Sequence, residues 1–558
     1  MNVSQAISEL KSTLSVFTEE SIKKKSALLK RIAKSKILLK TDAKLYYETL
    51  IFMAAHANND KAHKEAVAEI NRIEIAIAEK EGFLEKVSGS GILNSPVRGA
   101  FSYTLVCWLL NNFPDDIYLY SFGNGVHPRE IIKNNLFPTE FELSLNEKLT
   151  AEKWIEVASG KKNKSEQIQW LISNFNALKC TSLIRDNLFE SMQLFIEVKS
   201  SNPLFSLAGC KLNKKKFFYH KEELLKKIDF NKIIKEKIKH SKTLNDKEKW
   251  HVVNVSRAIL LLLNRETDPI TYCDTNEKHQ LQLVELNRGL SIAFFSAEPS
   301  RRLPYESYIG FMMYKNGYPI SYGGAWLFGK RALIGINIFE WFRGGESAFL
   351  FAQLIRSYHQ VFGASYFEVE PYQFGKGNPE GINSGAFWFY YKFGFKPVNL
   401  QLKKLAEEEA NKIFTVKGYR SSKSTLKAFT KSNIYVQLKN DQITLNPIVF
   451  SNYITMQITS QFKGDRQNAS AEINTKLNQA GINQRGNKNA YAQWSSLIYF
   501  CINLNKLSKK NIRDINQLIV LKEENEFEYV KALVNFNIEP LLKPEFINYY
   551  KKKYPNLR

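Results

Sequence analysis

The sequence predicts an α+β protein with several domains, in which a central mixed β-sheet with flanking helices lies between two mainly helical regions. Three observations support this. Short β-prone segments alternate with tight-turn signals at 308–339. A segment with helical spacing of its apolar residues is then followed by an alternating, strand-like one. Helical periodicity dominates on both sides of this stretch. A length of 558 residues suggests several domains. We predict a mainly helical N-terminal region at 1–250, a sheet domain at 251–400 and a mixed, mostly helical region at 401–558.

The composition is typical of a globular protein in a reducing compartment. The hydrophobic fraction of 44% supports packed cores rather than disorder. No segment approaches the roughly 20 apolar residues needed to cross a bilayer. The first 20 residues contain polar and acidic side chains and no secretory apolar block. The 5 cysteines are scattered without the spacing of a disulfide framework. We therefore expect a cytoplasmic protein without a transmembrane segment.

Three strands joined by tight turns form the predicted start of the central sheet. Tyr308 to Tyr314 is apolar and β-prone, and Asn316-Gly317 is a strong signal for a two-residue hairpin. Ile320 to Phe328 then predicts a second strand, and Ala332 to Phe339 a third, after a turn at Gly329. Consecutive strands with such short connections predict an antiparallel meander.

A glycine-containing loop precedes the strongest helix prediction of the chain. Residues 343–348 are Arg-Gly-Gly-Glu-Ser-Ala, and apolar side chains spaced three or four residues apart predict a helix from Ser347 to Phe362 that ends at Gly363. Glycines let a backbone approach a ligand closely. Free N–H groups and the positive end of a helix dipole bind anions. The loop is therefore a candidate anion-binding site.

The strand predicted next carries acidic side chains on one face. Residues 366–370 alternate, so that Glu368 and Glu370 share one face and apolar side chains share the other. Together with Glu340, these carboxylates are candidate general bases that could take a proton from an amine. The alternative is that they lie on a solvated strand face.

Residues 383–395, Asn-Ser-Gly-Ala-Phe-Trp-Phe-Tyr-Tyr-Lys-Phe-Gly-Phe, predict a short helix followed by a strand. Gly394 occupies the position where a helix ends in the left-handed conformation, and a strand is predicted to begin at Phe395. Most of the aromatic side chains in this segment must be buried, so core packing is the alternative to any role for one of them in catalysis.

The spacing of Asn383, Ala386 and Tyr390, followed by Lys-x-Gly-Phe, resembles the last helix of the GNAT superfamily of N-acyltransferases. The upstream order of meander, loop, helix, strand, loop and helix is similar to the GNAT core from its second strand onward. The resemblance covers residues 308–398. It implies transfer of an acyl group from acetyl-CoA or another acyl-CoA to an amine acceptor. It also implies that Tyr390 protonates the leaving thiolate, while Glu368 or Glu370 takes the amine proton.

The resemblance further implies a binding site for the pyrophosphate of the acyl-CoA. The family loop Arg/Gln-x-x-Gly-x-Gly/Ala matches here at its first and last positions, and the central glycine is replaced by Glu346. A carboxylate at this position would either repel a pyrophosphate at close range or point outward and favour the helix start. The cofactor-binding residues that follow from the match are Arg343, Gly344, Gly345, Ser347, Ala348 and Asn383.

The net charge of +24 predicts attraction to polyanions, chiefly nucleic acid or anionic membrane surfaces. The contact candidates are Lys211 to Lys249, which we expect to form one or two amphipathic helices, and Lys551 to Lys553. A solvated surface of a lysine-rich protein is the alternative. The basic surface also leaves open a transferase of the same fold that uses aminoacyl-tRNA as its donor. A third reading is a catalytically degenerate GNAT-fold protein that binds nucleic acid or another partner.

No metal site is expected. His56 and His63 lie on one predicted helix, seven residues apart, and two helical turns separate them by roughly 10 Å. That distance is too large for both to bind one metal ion without other partners. No group of histidines and cysteines has the spacing of a zinc site.

Overall fold

The computed structural model describes residues 2–35, 40–140, 149–214, 216–238, 240–242, 244–266, 269–273, 280–439, 445–483 and 488–553. Within them, twelve strands form two sheets. The strands are β1 Val97–Gly99, β2 Ile117–Phe122, β3 Leu194–Val198, β4 His240–Lys242, β5 Leu281–Glu285, β6 Leu290–Phe295, β7 Ser307–Lys315, β8 Tyr318–Phe328, β9 Arg331–Ile338, β10 Tyr366–Val369, β11 Lys396–Pro397 and β12 Ile434–Gln437.

Helices surround both sheets. They are α1 Val3–Thr13, α2 Glu19–Ala33, α3 Lys40–Ala55, α4 Asp60–Ala78, α5 Phe83–Lys86, α6 Tyr103–Asn112, α7 Pro128–Ile132, α8 Ala151–Ser159, α9 Lys164–Asn176, α10 Ser182–Ser191, α11 Phe230–Lys235, α12 Asp246–Leu262, α13 Ser347–Phe362, α14 Pro379–Ser384, α15 Ala386–Tyr391, α16 Leu400–Thr415, α17 Lys423–Phe429, α18 Pro447–Phe462, α19 Arg466–Gln479, α20 Lys488–Cys501, α21 Lys509–Glu524, α22 Glu526–Asn535 and α23 Pro544–Lys553. Among the described residues, none of these helices has the length and apolar character of a bilayer-spanning segment.

The large sheet has nine strands in the order β11-β12-β10-β9-β8-β7-β6-β5-β4. From β4 to β9 each strand pairs antiparallel with the next one in the chain. The turn between β7 and β8 has positive φ at both Asn316 (49°) and Gly317 (90°), as a two-residue hairpin turn that matches the twist of the strands requires. The predicted meander is therefore confirmed, and the structure extends it upstream by three strands.

One pair of strands in the large sheet is parallel, and it is paired over only a short stretch. β10 pairs with β9 from Tyr366 opposite Arg331 to Glu368 opposite Leu333. Beyond that point β9 continues to Ile338, paired only with β8 on its other side. Within the described part of the chain, the main chain of β9 from Ile334 to Ile338 thus has no strand partner on one side.

Helix α13 crosses one face of this sheet. Its Tyr358 contacts Phe294 of β6 and Phe311 of β7, with ring centroids 5.1 and 6.4 Å apart, and its hydroxyl donates to the carbonyl of Ile309 at 2.7 Å. Gly363 ends the helix in the left-handed conformation at φ 78°, as predicted. A short loop joins the end of β9 to the N-terminus of α13, whose N-cap residue Glu346 contacts Lys315 at the end of β7.

Strands from outside the predicted sheet domain complete the large sheet. β4 comes from the predicted N-terminal region, and β12, from the predicted C-terminal region, lies between β10 and β11. Buried apolar side chains from α1 to α23 form one continuous cluster. The boundaries at 250 and 400 stay predictions, although strands from both sides of each boundary share one sheet.

Three local predictions differ from the structure. The segment at 383–395 forms the end of α14 and all of α15, because Gly385 adopts φ 67° and interrupts the helix, and the strand that follows is only β11. Within 211–249, apart from 215, 239 and 243, which lie outside the described residues, regular structure is limited to α11, β4 and the start of α12. The composition of 464–488, which is polar and rich in Asn and Gln, predicts a mobile segment, whereas the structure has helix α19 within it, although 484–487 lie outside the described residues.

Candidate active site

The loop before α13 has the backbone freedom that the sequence predicts. Gly344 is exposed at φ 78°, and a Cβ there would meet no atom within 4 Å. Gly345 is buried, and a Cβ there would lie 3.4–3.5 Å from Phe342, Leu224 and Phe52. Glu346 occupies the N-cap position, but its side chain makes no capping hydrogen bond. The first-turn N–H groups of α13 are therefore not capped by this residue.

Glu346 points inward, which is neither of the two orientations expected from the sequence. Its side chain is 1% exposed, and it accepts from Lys315 Nζ at 3.0 Å and from Arg288 Nη2 at 2.8 Å. The N–H of Leu225 donates to it as well, at 3.3 Å. Burial alone would raise the pKa of Glu346, but the positive charges around it, Lys315 above all, outweigh burial and hold the pKa at about 2. The outward orientation, one of the two expected alternatives, is therefore wrong, because the buried Lys315 and the half-buried Arg288 attract this carboxylate.

His56 and His220 lie beside this ion pair. Their rings are 5.2 Å apart, and burial lowers the pKa of both, to about 3 for His220. Both ring nitrogens of His220 are buried without a hydrogen-bond partner among the described residues. Ligand atoms of His56, His220 and Glu346 lie within 4.8 Å of one another. The Lys315 ammonium already supplies a cation to the carboxylate of this group, so the geometry does not require a metal ion.

Tyr390 lies in the core beside α13. It is 4% exposed, and its ring contacts Phe351 of α13 edge-on at 5.4 Å and Phe395 at 5.9 Å. Its hydroxyl has no hydrogen-bond partner in the described part of the chain. Burial is what raises the pKa of Tyr390 above its usual value. The phenol therefore keeps its proton at neutral pH and has it free to donate.

The structure does not bring Glu368 and Tyr390 together. Paired residues in the register place Phe367 of β10 on the same face as Phe311, the face that α13 covers, so Glu368 points to the other face. There its carboxylate accepts from Arg331 Nε at 2.9 Å and from Asn433 Nδ2 at 2.5 Å. Glu368 thus has two partners of its own, on the side of the sheet opposite to the helix that contacts Tyr390.

Three further predicted site residues lie at the surface. Glu370 and Asn383 are exposed. Arg343 is exposed too, and its guanidinium donates to the carbonyl of Ile338 at 3.0 Å and pairs with Glu380 of α14. Ser347 and Ala348, in the first turn of α13, are half-buried. Arg343 therefore connects the end of β9 to α14 across the loop.

A cleft of about 290 Å³ opens where β9 ends. One wall is the C-terminal end of β9 with the 3-10 turn Glu340–Phe342, and the other is α3. The charged and polar side chains of its lining are Lys44, Glu48, Arg265, Tyr322, Asn337, Glu340 and Arg343. Two of the sequence candidates, Glu340 and Arg343, are therefore brought into one cavity.

The carboxylates in this cleft are poorly paired. Glu48 has a side chain that is 10% exposed, and its nearest cation, Lys44 Nζ, is 3.7 Å away. Burial raises the pKa of Glu48, and the negative charge of Glu340 contributes to the rise. Glu340 is exposed and forms no ion pair within the described residues. Glu48 could not be predicted as a site residue, because α3 approaches β9 only in the folded chain.

The basic contact candidates have mixed positions. Lys211 Nζ donates to the hydroxyl of Tyr318 at 3.1 Å, and Lys214 pairs with Glu285 at 2.9 Å, so these lysines pack on the sheet rather than forming a free basic helix. Lys551 to Lys553 are exposed at the end of α23. Both groups therefore present lysines to solvent, since the exposed side chains within 211–249 include Lys216, Lys221, Lys226, Lys227, Lys232, Lys235, Lys237 and Lys247.

Comparisons with protein-family models, with curated protein sequences and with solved structures each found no match.

Proposed function

We propose that this protein is an N-acyltransferase that moves an acyl group from acetyl-CoA or another acyl-CoA to an amine. The observation that carries the proposal is that β9 extends beyond its pairing with β10 and then leads through a short loop to the N-terminus of α13. There, an unpaired strand edge, an uncapped helix start and the cleft at Glu340 adjoin the same short loop. A strand edge with free N–H groups can polarise a thioester carbonyl, and a helix N-terminus can hold phosphate.

The chain's own residues fit an anionic donor at this loop. Gly344 leaves the backbone open to solvent, and Ser347 and Ala348 begin the helix whose positive end faces it. Glu346 does not oppose this charge, because its carboxylate is turned inward onto Lys315 and Arg288. Within the group of Glu346, Lys315 and Arg288, one negative and two positive charges leave a net positive charge, which favours a pyrophosphate. When bound, the donor would supply the thioester.

Tyr390 is the residue that supplies a proton to the leaving sulfur in this proposal. Its raised pKa keeps the phenol protonated, and no described group competes for that proton. A general acid of this kind contributes roughly 10²–10⁴ in rate. The amine nitrogen forms its bond to the acyl carbon as the carbon–sulfur bond breaks, and the thiolate takes the phenol proton.

We assign the general base to Glu340 in the cleft rather than to Glu368 of β10. The carboxylate of Glu368 is held by Arg331 and Asn433 on the opposite face from α13, whereas Glu340 is unpaired and lines the cleft at the end of β9. We therefore assign removal of the amine proton to Glu340, with Glu48 beside it. Glu370 stays a candidate at the surface.

The test is release of free thiol from acetyl-CoA, followed with a chromogenic thiol reagent in the presence of an amine mixture. The reagent's reaction with the five free cysteines is subtracted from a donor-free blank. We expect Tyr390→Phe to lower the turnover by about a hundredfold or more. Tyr391→Phe, at the half-buried neighbouring position, is the matched control and should keep it. Equal turnover in both variants would show that the assigned acid is wrong.

An aminoacyl-tRNA donor is the second candidate. It is favoured by the net charge of +24 and by the exposed lysines Lys551 to Lys553. Treatment of the enzyme and its substrates with RNase separates the two donors, because it abolishes transfer from aminoacyl-tRNA and leaves transfer from acyl-CoA unchanged. Salt-sensitive retention of RNA without any thiol release would instead favour a binding protein of the same fold.

A further inference from the structure

We propose that the amine acceptor also carries an anionic group, and that the cleft at the end of β9 binds it as a zwitterion. This inference rests on the proposed function, since it identifies the cleft as the acceptor side. It starts from the arrangement of charge in that cleft, where an acidic end and a basic end lie in about 290 Å³. That volume suits a small molecule rather than a peptide or a polynucleotide.

Glu48 and Glu340 form the acidic end. Burial raises the pKa of Glu48, and the negative charge of Glu340 adds to the rise. Two like charges close together, one of them largely buried, are stabilised by an entering cation. The ammonium group of an amine acceptor is such a cation, and Glu340 can then take the proton that the amine must lose before it attacks.

Arg265 and Tyr322 form the basic end. Arg265 is exposed and has no ion-pair partner among the described residues, although the same cleft holds two carboxylates. Its charge acts on the Tyr322 hydroxyl, where it opposes the effect of burial, which raises the pKa of that phenol. Asn337 Nδ2 donates to the Tyr322 oxygen at 3.0 Å, so the hydroxyl proton stays available. A guanidinium and a phenol O–H are suitable donors to a carboxylate or a phosphate.

Apart from the 3.7 Å contact between Lys44 and Glu48, the opposite charges of this cavity do not pair with each other, so the cavity is complementary to a ligand that carries both charges. A plain alkylamine would satisfy only the carboxylates, and a plain carboxylate only Arg265. An amine with an anionic substituent satisfies both ends, so an amino-acid-like molecule is the class of acceptor that the cleft fits best.

The experiment measures equilibrium binding to the full chain by ligand-observed NMR, without any acyl donor. The probes are 4-aminobutyrate and O-phosphoethanolamine, with n-butylamine and butyrate as the two half-ligands. We expect at least one zwitterion to bind tenfold or more tightly than either half-ligand. The preferred zwitterion tells a carboxylate from a phosphate as the anionic group. If n-butylamine binds as tightly as both zwitterions, or if neither zwitterion binds, the inference is wrong.

Two exposed charges provide the variants. Arg265→Gln should remove the tenfold or greater preference for the zwitterion over n-butylamine. Glu340→Gln should remove the tenfold or greater preference for the zwitterion over butyrate. Arg513→Gln, an exposed arginine of α21, is the matched control and should bind as the unaltered chain does. Unchanged binding in both cleft variants would overturn the assignment. The acyl-CoA assay is independent of this one, so zwitterion binding without thiol release would reject the proposed function, whereas thiol release with indifference to the acceptor's anionic group would reject only the acceptor class.

Discussion

Helix α3 and the end of the central sheet enclose two groups of charges that differ in how they are paired. In the inner group, Glu346 is held by Lys315 and Arg288 at 3.0 and 2.8 Å, with His56 packed beside it. In the cleft, Glu48 has its nearest cation at 3.7 Å, and Glu340 has no ion-pair partner among the described residues. Removing one partner of a buried ion pair leaves an uncompensated charge and destabilises the fold, whereas the poorly paired carboxylates of the cleft are candidates for binding a ligand.

The largest effect on stability is expected at the inner group. Glu346→Gln leaves the buried Lys315 and the half-buried Arg288 without their counter-ion, so we expect the free energy of unfolding to fall by about 3–5 kcal/mol. Urea denaturation followed by circular dichroism measures it. Glu380→Gln, which breaks the exposed pair with Arg343, should cost under about 1 kcal/mol. Similar losses in both variants would contradict the distinction between paired core charges and surface charges.

Removing both Lys315 and Glu346 tests whether the two charges stabilise each other. Lys315→Met combined with Glu346→Gln should cost less than the sum of the two single changes, because neither charge is then left without the other. A double-mutant cycle from urea denaturation gives the coupling free energy, expected at about 1–3 kcal/mol. Strict additivity would mean that the two side chains do not stabilise each other.

Acid should weaken this group within a defined pH range. The pKa of Glu346 lies at about 2 in the folded chain, below its ordinary value of 4.5, so the folded state binds this proton less readily than the unfolded state. The contribution to stability is therefore complete above pH 4.5 and is lost as the pH falls from 4.5 towards 2. The difference in unfolding free energy between the unaltered chain and Glu346→Gln should shrink over that range. Parallel pH curves would show that the ion pair does not couple to protonation.

The smallest effect on the free energy of unfolding is expected for a substitution in the cleft, and it is an increase rather than a decrease. Burial raises the pKa of Glu48, so this carboxylate favours folding only while it is protonated, and its contribution is lost as the pH rises through the folded pKa. Glu48→Gln should therefore stabilise the protein at pH 7, by under about 1 kcal/mol, as substitutions at functional sites often do. A melting temperature below that of the unaltered chain would show that Glu48 serves the fold.

Local sequence signals predicted the parts of the fold that local chemistry determines. Helix α13 has the predicted bounds, Ser347 to Phe362, because its apolar spacing and Gly363 define both the buried face and the end. The hairpin at Asn316 also formed as predicted. The split at Gly385 was missed, although a glycine that adopts positive φ can end a helix wherever it occurs.

Contacts between distant residues account for what the sequence could not show. The inward orientation of Glu346 depends on Lys315 and Arg288, which lie 31 and 58 positions away in the chain. The approach of His56 to His220, and of Glu48 to Glu340, likewise requires α3 to dock against the sheet. The periodicity of a single segment cannot predict contacts between residues that are this far apart in the sequence. The acidic pair of the cleft was therefore only half predicted, through Glu340.

Calorimetric titration of acetyl-CoA into the full chain and two variants at Ser347 tests the central claim most directly. Ser347→Asp places a negative charge in the first turn of α13, where it favours the helix but repels a pyrophosphate, and Ser347→Asn has the same shape without the charge. We predict saturable binding to the unaltered chain and to the Asn variant, and a loss of affinity of at least tenfold in the Asp variant without loss of stability. No binding to the unaltered chain, or equal binding to all three proteins, would contradict a donor site at this helix.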